Sequence, residues 1–476
     1  MRDQILQQNE VSSIRSSWLT IIAIILAAFM VNLDTSIVNI ILPTLTKIFE
    51  VNADEVVKIV LWYLLAIVSS LLIFGKLSDI YGKKKVFICG YILFTMGSLF
   101  CGLAFNLLSL SSARILQGLG GAMLFATIFA LVIENFSAQI TGRVFALITM
   151  SSSCGVVLGS PLGGFILKHL SWQWIFYINV LPGITGTILA LKTFKRDDFR
   201  STKKNANNFD YVGMILSIVS ILTLFSIISS YNKLNWFSFS SLLRDFIFII
   251  FFIAFVWWER KHANPLIDLK LLRSPLLSTG ILGLFVVTMT LNGTLFILPF
   301  FFEKVFNFQP VNVGLFLSII PLTIFLLSPI AGWLADRFNT SIIMIFALLF
   351  LIISFGLFYL FTFSFSFYLI IFVFVLFGTT LAFFFTTNMK FIMSKAPARK
   401  EGILSAINSL SVFLAAGIGI AIFETIFSLG FKGIKSFVLV PMQLVVKGFN
   451  DANLLNIILV SIAFAYSFFV IFRYNK

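Results

Sequence analysis

The most constraining feature of this chain is its series of apolar runs, each long enough to cross a bilayer. A helix rises 1.5 Å per residue, so roughly twenty apolar residues cover about 30 Å of hydrocarbon. Such runs lie between charge clusters at 18–46, 59–75, 86–106, 107–133, 144–167, 174–191, 211–230, 236–258, 276–302, 311–335, 341–362, 365–389, 402–429 and 452–472. They predict an all-α membrane protein with fourteen transmembrane helices. In the eighth run, Arg244 and Asp245 must reach toward the interface. Of the 476 residues 59% are hydrophobic and only 11% charged, whereas soluble domains carry about a quarter charged residues. No small-residue cleavage site precedes Asp34, so the first run reads as a retained span rather than a removed signal.

Orientation follows from Lys and Arg, which favour the cytoplasmic side. With the N-terminus inside, 24 of the 34 basic residues fall in the termini and loops expected to be cytoplasmic. The net charge of +15 therefore reads as topology and contact with anionic lipid. A nucleic-acid partner is excluded for want of a basic soluble module. Cys89, Cys101 and Cys154 lie in apolar runs without metal spacing, and His169 and His262 stand apart at helix ends. No metal, cofactor or phosphate-binding G-x-x-x-x-G-K-[ST] loop is indicated. An embedded transferase needs clustered catalytic acids or histidines, which the chain lacks.

A short internal repeat divides the molecule. Gly75-Lys76-Leu77-Ser78-Asp79 follows the second run and Gly332-Trp333-Leu334-Ala335-Asp336 the tenth. Duplicated six-helix halves are a common way to build a transport site between two moving bundles. The expected domains are an N-terminal six-helix bundle (1–197), a linker with inserted helices 7 and 8 (198–275), and a C-terminal six-helix bundle (276–476). The linker is the charged stretch Lys192 to Asp210. Segment 431–451 is expected to lie as an amphipathic hairpin on the outer face.

Five stretches resemble the major facilitator superfamily, specifically its fourteen-span drug:proton antiporters. Leu33-Asp34-Thr35-Ser36-Ile37-Val38-Asn39-Ile40-Ile41-Leu42-Pro43 is similar to L-D-x-T-x-V-N-x-A-L-P, and Gly75 to Lys84 to G-x-L-A-D-R-x-G-R-K. Arg114 to Ala122 resembles R-x-x-Q-G-x-G-A-A, Gly155 to Gly164 resembles G-x-x-x-G-P-x-x-G-G, and Pro265 to Leu271 resembles P-L-I-D-L-R-L. Ile80 replaces a usual basic residue, Ser160 is inserted before Pro161, and Gln173 stands where Arg is usual.

Asp34 is the only charge in the first run, about 24 Å along its helix from Trp18. A carboxylate at that depth is costly and is by default a functional residue; loss of water favours the protonated form of such a group. Arg114 is the only charge in the fourth run, and the resemblance implies that it assists proton transfer, with Gln117 orienting it. The competing readings are a structural pair for Asp34 and an interhelical strut for Arg114. The spacing Gly155-x-x-x-Gly159-x-x-x-Gly163, with Gly164 beyond it and Pro161 bending the helix, favours close helix approach. Through the resemblance this stripe implies antiport, by sealing a leak between bundles. Gly75, Asp79, Gly82, Lys83, Glu134 and Asp336 form the expected cytoplasmic gate, with Lys83 on Glu134 and Asp79 on the second bundle. Glu424, with Glu303 and Asp34, is the candidate substrate-binding set.

These observations and the resemblance together imply a proton-coupled antiporter for multidrug efflux, exporting amphipathic, cationic, lipophilic compounds by alternating access. It would work as a monomer in a bacterial cell membrane, with both termini cytoplasmic. The partners are a small-molecule substrate, protons and the lipid bilayer, and the proton gradient is the sole energy source. The alternative cargo is an endogenous metabolite, peptide, lipid or nucleotide.

Overall fold

A computed structural model describes residues 2–50, 53–193, 210–230, 239–262, 265–266, 273–308, 310–359, 366–397, 400–429 and 440–474, and among these it contains helices and no strand. The helices follow the apolar runs in order. They are α1 (Arg2–Ile48), α2 (Ala53–Tyr81), α3 (Lys83–Gly102), α4 (Leu107–Asn135), α5 (Thr141–His169), α6 (Trp174–Tyr177), α7 (Val180–Thr193) and α8 (Tyr211–Ser230). They continue as α9 (Phe239–Lys261), α10 (Pro275–Val305), α11 (Pro310–Arg337), α12 (Thr340–Phe358), α13 (Phe367–Ser394), α14 (Glu401–Ser428) and α15 (Met442–Tyr474).

Among the described residues, 13 helical stretches are long and apolar enough to cross a membrane. The seventh expected span is represented by α8, whose described apolar part is the shorter Tyr211–Leu224. The chain is thus a multi-pass membrane protein. Its surface agrees: Ser241–Lys261 has a mean hydropathy of 1.9, yet only 11% of its apolar window is buried inside the protein. Such a helix must face hydrocarbon.

The sixth expected span is present as Trp174–Thr193, but its helix is interrupted, because α6 and α7 are separated by a turn at Ile178 and Asn179. Pro182 lacks the N–H that would have bonded the Ile178 carbonyl four residues earlier, which favours a break there. The last span also begins early. Val445, Gly448, Phe449 and Ala452 are buried at helical spacing while Lys447 and Asp451 stay exposed, so 442–451 are the first turns of α15 rather than part of a hairpin. Residues 431–439 of that segment, 194–209 of the linker and 267–271 of the last motif stretch lie outside the described residues.

Contacts divide the chain into two compact units. The first comprises Met1–Leu222, Phe248–Asp268 and Ala396–Ser409; the second comprises Thr223–Ile247, Leu269–Lys395 and Leu410–Lys476. In the first, α3 packs on α4, α2 on α4, α1 on α7 and α3 on α7. The second repeats the scheme, with α12 on α13, α11 on α13, α10 on α15 and α12 on α15. In lipid such contacts gain little from hydrophobicity and depend on close packing and interhelical hydrogen bonds.

The inserted helices are tied by polar side chains. Asp210 caps α8 by accepting from Gly213 N–H at 2.8 Å, and also accepts from the Trp258 indole of α9 at 2.8 Å. His262 Nδ1 lies 3.6 Å from the same carboxylate. Arg244 does not simply reach for the interface: its guanidinium donates to the Ser226 carbonyl of α8 at 3.2 Å.

Candidate functional site

Helical periodicity aims Asp34 inward. Ala27, Met30, Val31, Ile37, Val38, Ile41 and Leu45 are all buried, and Asp34 falls on the same face of α1 with 0% exposure. On α4, started by a capping box in which Asn106 accepts from Ser109 N–H at 2.7 Å, the inward face carries Arg114, Gln117 and Gly118. Beyond Asp34 toward the C-terminus of α1, Ile37, Ile41 and Leu45 join Val56, Leu110, Ile166, Ile175 and Phe176 in one buried apolar cluster.

Two segments, α4 and the turn at Ile178 and Asn179, bond the Asp34 carboxylate directly. Arg114 Nη1 donates to Oδ2 at 2.5 Å, while Gln117 Nε2 and Asn179 Nδ2 donate to Oδ1 at 2.8 and 3.2 Å. Gln117 is fixed in turn: its Oε1 accepts from Arg114 Nη1 at 2.5 Å and its Nε2 donates to Ser98 Oγ at 2.7 Å. The Arg114 guanidinium carbon sits 3.9 Å from the centroid of the Tyr63 ring, a cation–π contact. Asp34, Tyr63, Ser98, Arg114, Gln117 and Asn179 are all buried. A lone charge in such a place costs several kcal/mol, and only a well-bonded partner offsets that cost.

The glycine stripe of α5 packs against α1 at this level. A Cβ on Gly155 would lie 2.7 Å from the Phe29 carbonyl and 2.9 Å from Leu33 N. One on Gly159 would lie 2.5 Å from Ser36 Cβ, and Ser36 Oγ donates to the Val156 carbonyl at 3.0 Å. The approach is therefore to α1 of the same unit, directly beside Asp34. Gly163 is buried, Pro161 and Gly164 are exposed, and a Cβ on Gly164 would touch nothing within 4 Å.

A second polar cluster forms where α2 turns into α3. Gly82 makes that turn at φ 103°, a left-handed conformation that suits glycine. Asp79 accepts from the N–H groups of Gly402 and Ile403, each at 2.9 Å, and so caps the N-terminus of α14. Lys83 lies 3.4 Å from Glu134, the expected pair, and 3.0 Å from Glu401, a partner not foreseen. Gly75 lets α2 approach α14, since a Cβ there would collide with Ala406. Lys76 Nζ donates to the Pro265 carbonyl at 2.8 Å. Asp336, in the second unit, pairs with Lys390 at 2.6 Å.

The substrate candidates are distributed. Asp34 belongs to the first unit; Glu424, half-buried on α14, and Glu303, exposed near the end of α10, belong to the second. Sequence reasoning missed Asn179, Ser98, Tyr63, Glu401 and Lys390 as site residues. Asn179 carried a usable signal, as an amide three residues before a proline inside an apolar run. Glu401 and Lys390 were visible only as charges near span ends.

The family model described as Major Facilitator Superfamily matches residues 24–420. The chain belongs to the major facilitator superfamily. It is therefore a transporter rather than an enzyme. Among curated relatives, this superfamily member is 30% identical over 421 residues to the riboflavin transporter RibZ of Clostridioides difficile (strain 630), covering 87% of this chain and 89% of that one. It is 29% identical to the multidrug resistance protein Stp of Mycobacterium tuberculosis (strain CDC 1551 / Oshkosh), covering 87% of this chain and 76% of the relative. In fold, it resembles the proton:xylose symporter XylE of the same superfamily with a TM-score of 0.64 at 13% identity, covering 93% of this chain and 95% of that structure.

Proposed function

We propose that this major facilitator exports amphipathic, cationic, lipophilic compounds in exchange for protons, with Asp34 as the proton-binding group and Arg114 as its switchable counter-ion. The observation that carries this reading is the buried pair itself, held at 2.5 Å and steadied by two amides. A carboxylate whose cationic neighbour sits on another helix binds a proton more tightly whenever the two helices separate. Protonation from outside would loosen the pair and expel cargo; release of the proton inside would restore it. The likeness to Stp, whose name states multidrug resistance, supports the cargo class. The membrane potential adds roughly 2.3 kcal/mol per charge per 100 mV to such an exchange. The Asp79 and Lys83 cluster serves as the cytoplasmic latch, since partly solvated ion pairs can be remade at modest cost.

The test is ethidium-driven proton release from purified protein in proteoliposomes. Wild-type protein is expected to release protons on ethidium binding and Asp34→Asn to release none. Unchanged release from Asp34→Asn removes Asp34 from the mechanism. A second reading keeps the exchange and changes the cargo to an endogenous metabolite, favoured by the 30% identity to RibZ. Flavin retention by vesicles that export flavin poorly but ethidium well would dismiss it.

A further inference from the structure

We propose that Asn179 is a positioning residue that follows the protonation state of Asp34 by reversing its side-chain amide. The inference rests on Asp34 being the proton site and concerns how its neighbourhood accommodates both forms.

An ionised carboxylate only accepts hydrogen bonds, whereas its protonated form must also donate one. The partners in place all suit the ionised form. Arg114 is a donor without acceptor capacity. Gln117 presents Nε2 to Asp34 and is locked: reversal would break its contacts to Arg114 Nη1 at 2.5 Å and Ser98 Oγ at 2.7 Å, and the approach of Cys101 Sγ to its Oε1 at 3.7 Å. Tyr63 faces Arg114 through its ring, and its hydroxyl makes no hydrogen bond to Asp34. These are the ionisable groups that α2, α3 and α4 bring to Asp34: Tyr63, Cys101 and Arg114.

Asn179 differs from Gln117, the other amide on the carboxylate. It makes one side-chain hydrogen bond, from Nδ2 to Asp34 Oδ1 at 3.2 Å, and its Oδ1 has no hydrogen-bond partner although the residue is 0% exposed. A buried carbonyl oxygen left unbonded is costly and calls for an explanation. Amide nitrogen and oxygen are close in size, so a half-turn about the last side-chain bond displaces no neighbour and breaks only this contact. Before the turn, Asn179 donates to the carboxylate. After a proton from solvent adds to Asp34 Oδ1, the turned amide offers its oxygen to the new O–H. Gln117 Nε2 can remain a donor to the same Oδ1 in both states. The turn at Ile178 and Asn179 between α6 and α7 places this amide at the carboxylate.

The experiment is pH-difference infrared spectroscopy on purified protein in bilayers, without cargo, using asparagine labelled with nitrogen-15 in its side chain. The Asp34 acid band is recognised by its loss in Asp34→Asn. In wild-type protein, an isotope-sensitive asparagine band is expected to change over the same pH range as the acid band. In Asn179→Leu that asparagine change disappears and the acid carbonyl band moves to higher frequency. Asn179→Ser, able to give or take a hydrogen bond, falls between wild type and Asn179→Leu. A titrating Asp34 band with no accompanying asparagine change, or equal shifts from Leu and Ser, overturns the role of Asn179 alone. Absence of any Asp34 band overturns the proton-site reading, and this inference with it.

Discussion

The two units share a helix-pairing scheme but fill their interiors with different polar chemistry. In the first, a carboxylate and a guanidinium meet in a fully buried place, surrounded by amides. In the second, the buried amides bond to neutral groups: Asn388 to the Gly280 carbonyl at 3.1 Å, Asn453 to the Phe355 carbonyl at 2.7 Å, and Asn456 to Thr294 Oγ1 at 2.9 Å. A neutral bond needs no counter-ion and does not respond to pH, while a buried ion pair stands or falls with both partners. The same scaffold thus holds a fully buried ion pair among amides in one place and neutral amide bonds in another.

The sharpest way to break this comparison is to strand one charge. Asp34→Leu leaves Arg114 buried and uncompensated, and is expected to lower stability by about 3–5 kcal/mol. Adding Arg114→Leu should recover most of the melting temperature while proton release stays absent. A single variant as stable as wild type would mean that the pair is not held in the folded protein. Next in size, Lys390→Met in the second unit removes the ammonium 2.6 Å from Asp336, whose side chain is 1% exposed, and should cost about 3 kcal/mol. Asp336→Asn in the same chain should restore thermal stability, showing whether this pair is structural.

Smaller effects follow from packing. Gly159→Val forces α5 away from α1 and should cost about 1–3 kcal/mol, as overpacked sites do. Gly164→Ala, which meets open space, should leave stability unchanged or raise it by up to about 1 kcal/mol. Equal losses at both positions would contradict the close contact at Gly159. Smallest of all, Asn456→Ala removes one neutral bond, worth about 1 kcal/mol, and should not move the pH profile of ethidium transport. A shifted profile would extend proton sensitivity to the second unit.

Much of this was legible in the chain because bilayer and helix impose lengths that residues must satisfy. Single charges in apolar runs, Asp34 and Arg114, were visible for the same reason, and the structure brings them together. What sequence could not give was direction in space. The glycine stripe was visible as a close-packing face, but nothing in its spacing says that its neighbour is α1. The break at Asn179 needed the effect of Pro182 to be weighed against an otherwise continuous run. Glu401 joined Lys83 across more than three hundred residues, a pairing that no local pattern encodes.

Asp79 is held by main-chain N–H groups at positions 402 and 403, and this has an evolutionary consequence. A side-chain counterpart can be lost by a single codon change, but a peptide hydrogen disappears only if proline arrives. Crowding supplies the remaining restriction, since any residue larger than glycine at 402 would strike Ser78. Variation at 402 is therefore policed by shape rather than by charge.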